Sequence, residues 1–245
     1  MKIIGIIPAR YASTRLPGKP LLLVKGKSMI QRVYEQAGKS MLISSVIVAT
    51  DDKRIFDCVK DFGGKAMMTS KRHASGTDRI FEVAKKMRSD IIVNIQGDEP
   101  YIDPGNIDKA IEPFLKDKHL KVSTLAIKIK TLADLLDENK VKVVMDKNNY
   151  ALYFSRNSIP FDMKHNPSRL WSLNGNKYYK HIGLYVYRRD FLLKFPKLKK
   201  SYLENTEKLE QLRILENGEK IKVVLTNKES FSVDTKSDLE LINKL

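Results

Sequence analysis

The 245-residue sequence contains a single cysteine, Cys58, which excludes an intramolecular disulfide and any cysteine-cluster metal site. A reducing compartment is the natural reading. Long apolar runs are also missing. The N-terminal stretch Ile3-Ile4-Gly5-Ile6-Ile7 is closed at once by Pro8 and Arg10. It is too short for a signal-peptide core and far below the roughly 20 residues of a membrane helix. A cytoplasmic chain without a membrane partner is therefore expected. Acidic residues are few beside basic ones, 29 Asp and Glu against 45 Lys and Arg, giving a formal net charge of +16. Such a surplus attracts polyanions. The cations, however, are spread from Lys2 to Lys244. Their clusters are as short as Lys197-Leu198-Lys199-Lys200, and no aromatic-interleaved stripe accompanies them. No nucleic-acid partner is expected. The alternative, a basic nucleic-acid-binding protein, needs one contiguous cationic face and salt-steep binding.

What is present is a rhythm. Apolar β-rich segments at Ile3–Pro8, Val46–Thr50 and Ile91–Ile95 alternate with segments of helical period. Met29, Ile30, Val33, Tyr34 and Ala37 share one helical face, and Ile55, Phe56, Val59 and Phe62 another before Gly63-Gly64. Ile80, Phe81, Val83, Ala84 and Met87 form a third, and Pro104 opens a fourth with Ile107, Ala110, Ile111 and Phe114. This alternation predicts βαβ units on a largely parallel sheet, an α/β fold. After about residue 120 the segments Val122–Lys130, Val141–Met145, Tyr150–Ser155 and Lys180–Arg188 read as extended, suggesting a second sheet or β-rich arm. Glu204–Asn217 reads as one helix stopped by Gly218, and Ile221–Leu225 as a strand. Thr235-Lys236-Ser237-Asp238 resembles a capping box at the start of a last helix. Asn157–Lys177, polar and holding Pro160, Pro167 and Gly175, reads as a mobile loop.

Two strand ends carry chemistry. After the first strand comes Pro8-Ala9-Arg10-Tyr11-Ala12-Ser13-Thr14-Arg15-Leu16-Pro17-Gly18-Lys19-Pro20. A loop at the carboxyl end of a parallel strand is where open α/β sheets bind ligands. Arg10 and Arg15 can fork onto phosphate oxygens, Lys19 adds a mobile point charge, and Ser13 and Thr14 add donors. The loop is neither GxGxxG nor a Walker sequence, since Pro20 follows Lys19. At the second strand end, in Asn94-Ile95-Gln96-Gly97-Asp98-Glu99-Pro100, Asp98 is placed to hold Mg²⁺, with an Asx turn before Pro100 as the plain alternative. A further carboxylate, Asp234, precedes the last helix, where by itself it would be an N-cap partner. Two carboxylates opposite a phosphate-binding loop make a metal site for polyphosphate chemistry.

The run from Ile7 to Pro20 resembles the signature of sugar nucleotidyltransferases, in the branch holding the 3-deoxy-manno-octulosonate (KDO) cytidylyltransferase, or CMP-KDO synthetase, family. Further stretches resemble that family in the same order: His73-Ala74-Ser75-Gly76-Thr77-Asp78-Arg79, Gln96–Pro100, Ala151–Arg156, His181–Tyr185, Glu207–Arg213 and Val233-Asp234-Thr235. The resemblance implies a Rossmann-like nucleotidyltransferase fold with a mostly parallel sheet, helices on both faces and a smaller β-rich dimerisation subdomain. One domain, 1–245, would then have a mainly nucleotide-binding part at 1–120. A sugar-binding and dimerisation part would follow at about 121–200, and 201–245 would return to complete the site. It implies that CTP and KDO give CMP-KDO and diphosphate for lipopolysaccharide biosynthesis, with Mg²⁺, in a homodimer.

By the same resemblance, Ala9, Arg10, Ser13, Arg15, Lys19, Ser75, Gly76, Arg79 and Asp98 bind the nucleotide, and Arg10, Lys19 and Asp98 act in catalysis. Asp98 and Asp234 ligate magnesium. Gln96, Arg156, His181, Tyr185, Glu210 and Gln211 surround the sugar acid. Each sugar-side residue has a plainer role: a surface ion pair for Arg156, a satisfied strand histidine at His181, packing for Tyr185, an exposed helical charge for Glu210. His73 is assigned no role. An 8-amino KDO analogue or sialic acid is the alternative substrate, and a non-catalytic paralogue is opposed by the two retained aspartates.

Overall fold

The first strand, β1 (Ile3–Ala9), is buried along nearly its whole length, which a strand at the centre of a two-sided sheet requires. In the computed structural model, which describes residues 1–12, 16–73, 75–162 and 177–244, β1 lies between two parallel neighbours. The chain continues through β2 (Leu23–Val24), β3 (Lys27–Ser28), α1 (Met29–Ala37), β4 (Ser45–Thr50), α2 (Lys53–Asp61) and β5 (Ala66–Met68). It goes on through α3 (Gly76–Lys86), β6 (Ile91–Asn94), α4 (Pro104–Lys116), β7 (Val122–Lys128), α5 (Leu132–Leu136), β8 (Lys142–Met145) and β9 (Ala151–Ser155). It ends with β10 (Tyr179–Arg188), α6 (Arg189–Leu192), α7 (Tyr202–Glu207), α8 (Leu212–Glu216), β11 (Ile221–Thr226) and α9 (Lys236–Lys244).

Among the described residues the main sheet runs β11-β7-β10-β6-β1-β4-β5. Only β10 runs against the others, pairing antiparallel with both β6 and β7. Alternate side chains feed two cores. Ile3, Ile7, Val48 and Val93 pack with Ile30, Val59, Ile107 and Phe114 of α1, α2 and α4. Ile4, Ile6, Ile47 and Ile92 pack on the other face with Ile80 and Val83 of α3, Phe191 of α6 and Leu212 of α8. This is the mostly parallel α/β architecture with helices on both faces that the alternation predicts. Among the described residues no helix is long and apolar enough to cross a membrane.

Two expectations change. The extended segments after residue 120 do not build a second sheet. β7 and β10 enter the main one, and β8 with β9 forms a hairpin branching from β10. Continuous burial of β7, six of its seven residues, marks it as a central strand rather than part of an arm. The helix expected over Glu204–Asn217 is broken into α7 and α8, because Lys208 adopts a left-handed conformation (φ 54°). Gly218 ends α8 as expected, at φ 77°. The loop at Asn157–Lys177 falls largely outside the described residues.

Candidate active site

The carboxyl ends of β1 and β6 point to the same side of the sheet, so the loops that follow them meet. Gly97 is required for this approach: a Cβ there would stand 3.0 Å from the Pro8 carbonyl oxygen. Gly18, at φ 69°, turns the β1 loop back, its amide donating to the Tyr11 carbonyl (3.0 Å). The Arg54 guanidinium of α2 covers the Tyr11 ring at 3.3 Å. The loop thereby returns Lys19 to the mouth of the sheet.

Lys19 is the centre of the arrangement. Its Nζ donates to Asp98 Oδ2 at 2.9 Å and to Asp234 Oδ1 at 3.0 Å. Burial alone would lower the pKa of this ammonium, but Asp98 and then Asp234 outweigh that and hold it above its ordinary value. The third partner arrives from the far end of the fold. Val233 N donates to the Asp98 carbonyl (2.9 Å), and Asp238 of α9 accepts from the amides of Asp234 (3.0 Å) and Thr235 (2.8 Å). Asp238 N in turn donates to Thr235 Oγ1 at 3.2 Å, so the capping box expected there is formed. Two carboxylates thus converge on one cation. Hard oxygen donors in such a pair suit Mg²⁺, which takes its remaining ligands from phosphate and water.

Around this triad opens a cavity of about 390 Å³ lined by Ala9, Arg10, Ser75, Gly76, Arg79, Asp98, Lys19 and Asp234 among others. Arg10 is exposed. Ser75 caps α3, its Oγ accepting from Asp78 N and its own N donating to Asp78 Oδ2, both at 3.1 Å. The 11-residue helix therefore presents its positive end to the cavity. Arg79 is only 3% exposed, its guanidinium donating to Thr69 Oγ1 and paired with Asp51 at 2.8 Å. Ser13 and Arg15 lie outside the described residues. His73, left without a role by the sequence, also lines this cavity, with Nε2 2.7 Å from Glu82 Oε2. Glu82 is itself held down to about 2, first by Lys86 and then by the Ser70 amide and His73.

A second cavity, about 430 Å³, adjoins the first through Pro8, Gly76 and Gln96. Its floor is the sheet face at β6 and β10, and the pairing of β10 with its other neighbour, β7, slips between Ile182 and Tyr185. Such an irregularity re-aims the side chains around it. Gln96 Nε2 donates to the Gly183 carbonyl at 2.9 Å. His181 Nε2 stands 2.9 Å from Thr124 Oγ1, and burial lowers its pKa to about 3, so the ring is neutral at physiological pH. Burial raises the Tyr185 phenol well above its ordinary value.

The break between α7 and α8 swings Glu210 and Gln211 into the same cavity. Glu210 accepts a hydrogen bond from Thr77 Oγ1 of α3. Burial pushes its carboxyl up, against the hydrogen bonds from Thr77 and Ser75.

Five of the six expected sugar-side residues therefore line one cavity. Arg156 does not line either: its Nε donates to the Glu207 carbonyl (2.9 Å) and Nη1 to that of Glu138 (3.1 Å). Asn94, Thr77 and Lys208 line the second cavity and were not singled out from the sequence. Asn94 carried a usable signal, a polar amide inside the buried run Ile91–Ile95.

Comparison with known proteins agrees with this geometry. The cytidylyltransferase family matches residues 4–221. A 3-deoxy-manno-octulosonate cytidylyltransferase of Geotalea uraniireducens (strain Rf4) is 56% identical over 245 residues, covering 99% of this chain and 98% of its own. One from Fusobacterium nucleatum subsp. nucleatum is 52% identical over 244 residues, covering 99% and 96%. Among solved structures, CMP:2-keto-3-deoxy-manno-octonic acid synthetase complexed with CTP superposes with a TM-score of 0.93 at 42% identity, over 100% of this chain and 98% of that one. The likeness runs the length of the sequence and includes every segment that builds the two cavities, and on that basis the chain belongs to the cytidylyltransferase family.

Proposed function

We propose that this chain transfers CMP from CTP to the anomeric hydroxyl of KDO, forming CMP-KDO and diphosphate for lipopolysaccharide assembly. The observation that carries the reading is the convergence of Asp98 and Asp234 on one ammonium beside Arg10 and the α3 N-terminus. That site continues directly into a cavity rich in uncharged hydrogen-bonding side chains, with Glu210 and Lys208 at its α7–α8 wall. A polyphosphate needs the first, a polyhydroxylated acid the second. The names and full-length similarity of the relatives support the same pair of substrates.

In this reading Arg10, Lys19 and the helix end at Ser75 and Gly76 receive the triphosphate, with Ser13 and Arg15 beside them. Arg79, locked by Asp51, shapes the nucleotide wall with Ala9. Gln96, at the junction of the cavities, orients the sugar toward the α-phosphorus, and His181, Tyr185, Glu210 and Gln211 hold its hydroxyls. Arg156 meets the sugar carboxylate only by leaving its carbonyl partners. Asp98 and Asp234 would hold Mg²⁺, which would supply charge neutralisation for the leaving diphosphate and a lower pKa for the attacking hydroxyl. The hydroxyl oxygen loses its proton to solvent and forms its bond to the α-phosphorus as the bond to diphosphate breaks, in line. Positioning and charge do the work, without a covalent enzyme intermediate. Cys58 lies among the residues lining neither cavity, and Ser75 Oγ is engaged as a helix cap.

The homodimer and the cytoplasmic setting belong to the same proposal. The deciding experiment is diphosphate release from CTP, UTP, ATP and GTP, each with KDO, 8-amino-KDO and sialic acid. CTP with KDO is expected to be fastest. Release preferring another triphosphate, or none with any sugar acid, overturns the reading.

A further inference from the structure

Among the described residues, two polar atoms in the second cavity have no hydrogen-bond partner. Asn94 is 5% exposed and Tyr185 7% exposed. Asn94 Oδ1 and Tyr185 Oη are both buried without a hydrogen bond. They are not accidental neighbours. Asn94 of β6 and Tyr185 of β10 are direct cross-strand partners, so both side chains rise from the same sheet face. Both line the cavity that contains Gln96 and Glu210. Ile92, two positions back on β6, sits in the apolar core, while Tyr187, two positions on along β10, still lines the cavity. The amide therefore stands where the strand leaves the core and the cavity begins.

Burying an unpaired amide and an unpaired phenol is costly, and native interiors rarely tolerate it. Local alternatives are taken. Thr124, the hydroxyl nearest in effect to Tyr185, is already engaged by His181 Nε2 at 2.9 Å and by the Leu184 carbonyl at 2.8 Å. The Gln96 amide is spent on the Gly183 carbonyl. One orphan is an acceptor and the other a donor. A hydroxyl is both.

We infer that Asn94 is a specificity-determining residue, which with Tyr185 forms a two-point cradle for a single hydroxyl of the sugar acid. The hydroxyl donates to Asn94 Oδ1 and accepts from Tyr185 Oη. This rests on the proposed reading of the second cavity as the sugar site. A site that leaves a buried donor and acceptor unsatisfied until the right hydroxyl arrives rejects a sugar lacking it more strongly than one that merely fits its shape.

The test uses the full chain with Asn94→Leu, Asn94→Ala and Tyr185→Phe, assayed by diphosphate release with CTP and KDO and by melting without substrates. Each variant is expected to raise the KM for KDO by at least about tenfold. The KM for CTP should stay within about twofold. The melting temperature of Asn94→Leu should equal or exceed that of the parent, because an orphaned polar atom is replaced by an apolar group of similar shape. Among KDO analogues each lacking one hydroxyl, one should lose about tenfold with the parent and nothing further with Asn94→Leu. If Asn94→Leu fails to fold, Asn94→Ala and Tyr185→Phe carry the same comparison. An unchanged KDO KM in the folded variants overturns the cradle. So does a lowered melting temperature with equal losses for every analogue, since that marks Asn94 as structural. A parent chain inactive with KDO overturns the proposed reaction instead, so the two failures are distinguishable.

Discussion

The two cavities share Pro8, Gly76 and Gln96 but are built in opposite ways. The first is made by loops and carries full charges: Arg10, Lys19, Asp98 and Asp234. The second is made by the sheet face and a broken helix, and apart from Lys208 its functional groups are amides, phenols, a neutral imidazole and a carboxyl pushed upward by burial. On the proposed reading, the difference follows from what each holds. A polyphosphate is bound by charge, which acts over distance and tolerates movable supports. Hydroxyls are bound by direction, which requires fixed dipoles on a rigid frame.

The sharpest way to break this contrast is to remove one charge from the first cavity. Asp98→Asn should lower turnover by about a hundredfold or more at saturating CTP and KDO while the protein stays folded. Near-normal diphosphate release in that variant removes Asp98 from the reaction centre. Lys19→Met comes next. It should raise the KM for CTP by about tenfold. Its folding cost should stay within about 1 kcal/mol, because the pairs it leaves are partly exposed. With the ammonium gone, two carboxylates face each other, so added Mg²⁺ should raise the melting temperature of the variant more than that of the parent. Equal responses would separate the aspartates from any shared cation.

The second cavity is probed through protons. Glu210 titrates above its ordinary value of 4.5 because burial disfavours its charge. Its contribution to stability is therefore present below the unfolded value and is lost as pH rises through the raised folded value. Glu210→Gln should raise the melting temperature at pH 8 but hardly at pH 4, while weakening KDO binding. The opposite pH trend would mean that the carboxylate is stabilised as an anion. The smallest effect concerns His181, whose pKa is depressed from 6.5 to about 3. A histidine kept neutral in the folded state costs stability as pH falls below 6.5. The KM for KDO should therefore show no inflection near 6.5 that His181→Gln abolishes, and that substitution should soften the loss of stability on acidification. An inflection near 6.5 that vanishes in the variant would show that the ring gains a proton in use.

The same contrast explains what could be read from the sequence. The charged loop at Arg10–Lys19 is contiguous and follows an unmistakable buried strand, so both its place and its task were legible. The α/β rhythm of β1, α1, β4, α2, α3, β6 and α4 was equally plain, since each carries its own period, whereas the short strands β2, β3 and β5 carry none. The second cavity was legible only through family resemblance. Its residues come from β6, β10 and the α7–α8 turn, and no local pattern unites them. The left-handed residue at Lys208 left no compositional mark, as lysine has no preference for that conformation, so two short helices read as one. The entry of β7 and β10 into the main sheet depends on long-range pairing, which alternation cannot specify. Arg156 was expected among the sugar ligands, but the carbonyls of Glu207 and Glu138 that occupy it belong to the arrangement of chain segments, not to its own neighbourhood.

Lys19 and Asp234 meet across 215 positions of sequence. The last strand of the sheet, β11, is complete by Thr226, before the segment bearing Asp234 begins. Every described strand, the two main cores and the lining of the second cavity thus come from residues that precede Asp234 in sequence. The second acidic jaw is held to that scaffold by a short stretch of backbone hooked to the Asp98 carbonyl, so truncating the chain before it would remove the jaw without removing a strand.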